Sequence, residues 1–218
     1  MTSSIQLIAL VRHARSIAND DPRLYKTMAD HVIPLVRPAD DPEARLAGRH
    51  IAGLGLDPAS VCAWSSTYLR CVQTELLVLE EAFGPRVPEV RRRSSFLLRE
   101  QEFGDWDSMT EEEMAADDPV RYARRQMLTD AVGRFYFRYP AGESRADVTQ
   151  RVTLFIGKLH RTRYPAHLVF LHGVTQRAFR MAWVNHGVDW FEDEVNPPSA
   201  SVLVIERNAS GHWAERYL

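Results

Sequence analysis

Cysteine is scarce: Cys62 and Cys71 are the only two in 218 residues, and they lack metal-ligand spacing. That excludes a disulfide-stapled scaffold and a thiolate metal centre, and predicts two reduced thiols in a reducing compartment. Long hydrophobic runs are also missing, since no stretch approaches the roughly 20 apolar residues a membrane span needs. The opening MTSSIQLIALVRHARS carries no basic leader. Its apolar run is cut off by Arg12 and His13 after about seven residues, too short for a secretion signal, so a cytoplasmic protein is expected. Neither charge sign is in large excess. A net charge of -2 gives no electrostatic case for nucleic acid or an anionic membrane, and the expected partner is a small molecule. Repeats and low-complexity tracts are absent, and nothing signals an oligomeric state.

What is present is an ordinary globular composition, 45% hydrophobic and 26% charged. Its length suits one sizeable core, so a single domain over 1–218 is expected. The runs Ile5 to Val11, His167 to Leu171 and Ser201 to Glu206, with a shorter one at Val61 to Ser65, are almost continuously aliphatic. Strands buried on both faces of a parallel sheet read this way. Between them the period changes to that of a helix: Leu69, Val72, Leu76 and Leu79 form one such set, and Val148, Val152, Phe155, Ile156 and Leu159 another. Alternating strands and helices predict an α/β fold, a three-layer αβα sandwich with a mostly parallel central sheet.

Smaller signals refine this. Thr110 with Glu113 is a capping box for a helix towards Ala116, and Asp118-Pro119 starts another up to about Thr129. Together they make an inserted helical segment at about 105–140. Pro34 to Glu43 reads as an irregular connection before a helix near Ala44 to Gly53.

In open α/β sheets ligands bind beyond the carboxyl ends of strands. The first run ends in VRHARSIAN, which places Arg12 and His13 at a strand terminus with Ser16 and Asn19 just beyond. The run His167 to Leu171 leads into His172, Gly173 and Val174, whose backbone N–H groups at a helix start suit a phosphate oxygen. Arg70 lies just inside the helix after Val61 to Ser65. Guanidinium forks bind phosphoryl oxygens bidentately and stay charged, so Arg12 and Arg70 form a clamp. An imidazole attacks phosphorus only through an unprotonated nitrogen, a state that neighbouring cations favour. That makes His13 the candidate nucleophile. With this many donors around the group, neither metal nor cofactor is required. His50, His160, His167, His186 and His212 share no metal-binding spacing, and none is expected to bind one.

VRHARS, LRCVQT, LLREQEFGDW and LHGVTQR resemble, in order, the motifs of the histidine phosphatase superfamily, also called phosphoglycerate mutase-like. YKTMADHVIPL, PAGESRADVTQRV and NPPSASVLVIER are similar to a subgroup found in plants and bacteria. The resemblance implies catalytic roles for Arg12, His13, Arg70, Glu100 and His172, with Ser16 and Asn19 as further phosphate contacts. It implies a phosphomonoester phosphatase: His13 attacks phosphorus, Glu100 protonates the leaving alcohol, and water then releases phosphate from a phosphohistidine. Phosphoglycerate mutase-type transfer and a catalytically weak phosphate-binding regulatory module are the alternatives. The signature has glycine after the histidine, where this chain has Ala14, so a slightly reshaped pocket is expected.

Other residues carry plainer expectations. Arg15 is an exposed helix residue or an anion contact. His31 is a turn residue or lies near substrate, and Glu102 is a second acid on the same side as Glu100. Arg91, Arg92 and Arg93 attract a polyanionic substrate or form a solvated strand edge, the commoner case, and are not counted as a site. Trp106 and Phe103 pack near Glu100, and Glu143 caps the next helix.

Overall fold

The computed structural model describes residues 5–208 and 210–218, so the expectation about a leader lies partly outside them. Six strands form one sheet in the order β3-β2-β4-β1-β5-β6. They are β1 (Leu7–Arg12), β2 (Val61–Ser65), β3 (Arg91–Ser94), β4 (Ala166–Leu171), β5 (Val202–Arg207) and β6 (Trp213–Tyr217). The first four run parallel: β1 pairs with β4, β4 with β2, and β2 with β3. β5 runs antiparallel to β1, and β6 antiparallel to β5.

The near-continuous hydrophobicity of the central strands has the expected cause, since both faces are covered. Side chains alternate along a strand, so Ile8 and Leu10 of β1 point to one layer while Ala9 and Val11 point to the other. The first layer holds α6 (Arg145–Leu159) and α7 (Gly173–Val184), which contribute Val148, Val152, Phe155 and Phe179 to the core. The second holds α2 (Pro42–Ala52) and α3 (Leu69–Phe83), through Ala44, Ala47, Ile51, Leu77 and Val78. This is the three-layer α/β sandwich expected from the alternation of periods.

Differences from the expectation are local. β5 reads like a parallel-sheet strand because it is buried on both faces, yet it pairs antiparallel; burial and not direction sets its composition. β6, with its mixed Trp213, Glu215 and Arg216, carries too little apolar character to announce itself. β3 is the exposed edge expected of the Arg91 to Arg93 run.

Between β3 and α6 lie α4 (Glu111–Asp117) and α5 (Pro119–Val132). Thr110 caps α4 by accepting from the Glu113 N–H while Glu113 accepts from the Thr110 N–H. Asp118 caps α5. Trp106, Met114 and Phe137 form a small apolar cluster beneath them.

Candidate active site

β1, β4 and β2 are neighbours and parallel, so their carboxyl ends lie side by side. His13 follows β1, His172 follows β4, and Ser66 to Arg70 follow β2 into α3. The two imidazole centroids are 5.2 Å apart, edge to face. Both rings are buried.

His13 Nδ1 lies 2.7 Å from the Ala14 carbonyl oxygen. A carbonyl only accepts, so Nδ1 carries the proton and Nε2 keeps its lone pair. Burial first, then the charges of Arg70 and Arg12, hold the His13 imidazolium well below its usual range. The same happens at His172, through burial, Arg70 and His13. Ala14 causes no backbone strain: it is not among the residues at positive φ, its methyl packs in the core, and its N–H donates to Thr74 Oγ1 at 2.9 Å.

Arg70 is only 1% exposed. Its Nη1 donates to the Asp30 carbonyl oxygen at 2.8 Å and to Asp30 Oδ1 at 2.6 Å. Burial alone would lower its pKa, but the bonds and charge of Asp30 outweigh that and raise it. Arg12 Nη1 donates to the Pro197 carbonyl. The Nε atoms of Arg12 and Arg70 are both buried without a protein partner. Buried orphan donors are uncommon, and two on arginines beside the same histidine are what an anion site leaves open.

His172 Nε2 is 2.9 Å from Ser66 Oγ and 3.4 Å from Cys71 Sγ. Tyr68 packs edge-on against its ring at 5.1 Å. Gly173 opens α7, so its N–H has no acceptor within the helix. A Cβ there would sit 2.9 Å from Asn196 Cγ, so any larger residue would have to displace the Asn196 side chain.

Glu100 also reaches the start of α7. Its Oε2 accepts from the Val174 N–H and its Oε1 from the Thr175 N–H, each at 3.3 Å. The Val174 N–H, expected to face phosphate, is therefore engaged by Glu100 instead of standing free. Glu102 points elsewhere, pairing with Arg99 at 2.9 Å on the surface.

Ser16 and Asn19 bond to each other. Asn19 Oδ1 accepts from the Ser16 N–H and hydroxyl, both at 2.9 Å. Arg15 is exposed and pairs with Asp20. Glu143 is not the helix cap: Ser144 caps α6 through Asp147, while Glu143 accepts from Arg99 and Arg151. The expectation failed because a carboxylate next to a helix start is drawn to two guanidinium groups more strongly than to an N–H.

Sequence reasoning missed Asp30, Ser66, Tyr68, Arg151 and Thr175. Arg151 donates to the carbonyls of Leu97, Arg99 and Glu100 at 2.8, 2.8 and 3.0 Å, which fixes the segment bearing Glu100. Thr175 Oγ1 donates to the Arg99 carbonyl at 2.7 Å. The one signal available was DHVIPL: His31 drew attention, but its neighbour Asp30 meets the arginine.

Among the described residues, no group of three or more His, Cys, Asp or Glu side chains is placed to hold a metal ion. Nor is any helix there long and apolar enough to cross a membrane.

Paired histidines with two buried arginines at the ends of neighbouring parallel strands place the protein among α/β folds whose ligand site lies at the carboxyl ends of the strands. Residues 8–217 match the model of the histidine phosphatase superfamily (branch 1), and the chain belongs to that family. It is 32% identical to phosphoglycerate mutase-like protein AT74 of Arabidopsis thaliana over 95% of this chain, and spans 66% of that protein's length. It is also 34% identical to the broad-range acid phosphatase DET1 of Saccharomyces cerevisiae, over 52% of this chain and 33% of that one. Among solved structures, a mycobacterial glucosyl-3-phosphoglycerate phosphatase shares the fold, with TM-score 0.71 and 20% identity over 97% of both chains.

Proposed function

We propose that this chain hydrolyses a phosphomonoester through a phosphohistidine at His13, without a metal ion. The observation that carries this is the His13 tautomer: Nδ1 is tied to the Ala14 carbonyl, which leaves the Nε2 lone pair for phosphorus. In the first step Nε2 forms the P–N bond as the P–O bond to the alcohol breaks, and Glu100 in its acid form gives its proton to the departing oxygen. In the second, Glu100 takes a proton from water as the water oxygen bonds phosphorus. The P–N bond breaks, its electrons return to Nε2, and inorganic phosphate leaves. Arg12, Arg70, His172 and the Gly173 N–H stabilise charge on the equatorial oxygens. Ser16 and Asn19 shape the loop beyond His13 and complete the rim.

The alcohol side favours hydrolysis over a mutase reaction. A cavity of about 290 Å³ adjoins the site, lined by Asp30, Tyr68, Glu102, Phe103 and Asp107 among others. Asp30 is matched by Arg70 and Glu102 by Arg99, whereas Asp107 is met by the hydroxyl and backbone N–H of Ser108 and by no cation in a salt bridge among the described residues. Carboxylates beside two aromatic rings suit an alcohol with hydroxyl or ammonium donors. Asp107, which has no salt-bridge partner among the described residues, repels the second anionic group of a phosphoglycerate. The similarity to the yeast broad-range acid phosphatase points the same way.

The test uses wild type and His13→Ala with a sugar monophosphate, an aminoalcohol phosphate and 3-phosphoglycerate. Expected are phosphate release from the first two and an acid-labile phosphoenzyme, both lost in the variant. Equal release by the two proteins would end this reading, and transfer of the group without release would replace it with the mutase.

A further inference from the structure

A second cleft lies away from the catalytic residues, between the edge strand β3 and the carboxyl-terminal turn of α6. Its volume is about 660 Å³, and its walls include Trp64, Arg93, Lys158, Arg161, Arg163 and Tyr164. Four of these are cations, and no acidic residue lines the cleft. The chain carries more acids than bases, 29 against 27, so the lack of a counter-charge is local. Elsewhere arginines find carboxylates readily: Arg92, one residue from Arg93, is paired with Glu75 at 2.9 Å.

Arg93, Arg161 and Arg163 belong to no ion pair among the described residues. Arg93 lies over the Trp64 indole at 5.4 Å, and Lys158 reaches only the Ser95 hydroxyl at 3.5 Å. The indole is fixed beneath by its N–H to His167 Nδ1 at 3.3 Å, so the floor under Arg93 is rigid.

Helix polarity explains part of this. Cations at the end of α6 offset its carboxyl-terminal dipole. It does not explain Arg93, which comes from the sheet, nor why four like charges converge on one cavity. Like charges repel, an effect that water weakens at these largely exposed side chains without removing it. An anion that bonds several of them removes that cost and gains charge-assisted hydrogen bonds.

We infer that this cleft is a second anion site, which binds a compact ligand bearing two or more phosphate groups. Charge balance sets the class: four uncompensated cations match a triphosphate or a bisphosphorylated small molecule better than a monoester. Size agrees, since a cavity of about 660 Å³ holds a ligand of that kind. Nucleic acid needs a basic stripe along a face, and here the cations are confined to one cleft of a chain whose net charge is -2.

The test is titration calorimetry with sodium tripolyphosphate on the full chain carrying His13→Ala, so that the probe is not consumed. Orthophosphate is kept out of the buffer, because it would compete at the cleft, and probe held at the catalytic pocket is the part that the cleft variants leave unchanged. The expected result is an equivalent of bound probe that those variants lose and that weakens as salt is raised. Arg161→Glu with Arg163→Glu, and separately Arg93→Glu, should each weaken binding at least about tenfold. These side chains are exposed, and matching circular dichroism and melting temperature will show that the variants fold. Undiminished affinity in folded charge-reversed variants would overturn the site. So would no binding at millimolar probe, or binding of single-stranded RNA in place of tripolyphosphate.

Discussion

Arg70 and Asp30, forty residues apart in the chain, form a fork in which one guanidinium nitrogen meets both the Asp30 carboxylate and its backbone carbonyl. The pair leaves the Arg70 Nε free and pointing away from Asp30, in a side chain that is 1% exposed. Asp30 thus locks the rotamer of an arginine whose charge acts on His13 and His172 from a short turn outside the sheet.

Asp30→Ala should therefore act through Arg70. Loss of the carboxylate leaves a buried guanidinium half-satisfied, at a cost of about 2 kcal/mol in stability, moderated because Asp30 itself is partly exposed. Phosphate affinity should fall about tenfold through loss of pre-organisation. Inhibition by orthophosphate measures the second effect, and an unchanged inhibition constant would show that Arg70 holds its position without Asp30.

Glu100→Gln should separate acid catalysis from binding. Esters of poor leaving groups should slow by about 10² to 10⁴, since the alkoxide then departs without a proton. An activated aryl phosphate should slow far less in forming the phosphoenzyme. Equal slowing of both substrates would remove Glu100 from the proton-transfer step.

Arg151 is a positioning residue, because it touches the backbone of Leu97, Arg99 and Glu100 and not the phosphate pocket. Arg151→Lys cannot reproduce the fork that serves three carbonyls and Glu143. The expected outcome is a drop in kcat of about tenfold for alkyl esters. Orthophosphate affinity and the rate with an aryl ester should stay near wild type. A purely structural role would lower all three together.

Acid should destabilise the protein through its buried histidines. Burial drives His13 and His172 well below the usual range, and His167, held by Trp64 and Thr162, down to about 4. The unfolded chain titrates near about 6.5 and so binds more protons than the folded one below that point. Stability is then full above about 6.5 and declines as pH falls towards 4, at roughly 1 kcal/mol per pH unit for each histidine. Denaturant unfolding at pH 7 and pH 5 measures the slope, and His167→Gln should remove one share. A flat profile would contradict burial of these rings in neutral form.

Several features were legible from the residues because they are local. The covered faces of β1, β2 and β4 write themselves as aliphatic runs, and the buried stripes of α3 and α6 as a helical period. The strand-end rule then pointed to Arg12, His13 and His172. The convergence of these with Arg70 follows from the neighbouring parallel strands. Glu100 came from motif resemblance alone, since an acid in a loop has no periodic signature and Glu102 looked equivalent.

The sequence by itself therefore determined the layers of the fold and which side chains stand at the strand ends, because alternation and helical period are properties of neighbouring residues. The tertiary structure decided the rest: that Asp30 holds Arg70, that Glu100 and not Glu102 turns to α7, that Glu143 joins Arg151, and that β5 runs antiparallel. Apart from the Glu143–Arg151 pair, eight residues apart, each depends on groups separated by tens of residues coming within about 3 Å, and pairing at that range leaves no mark on local composition.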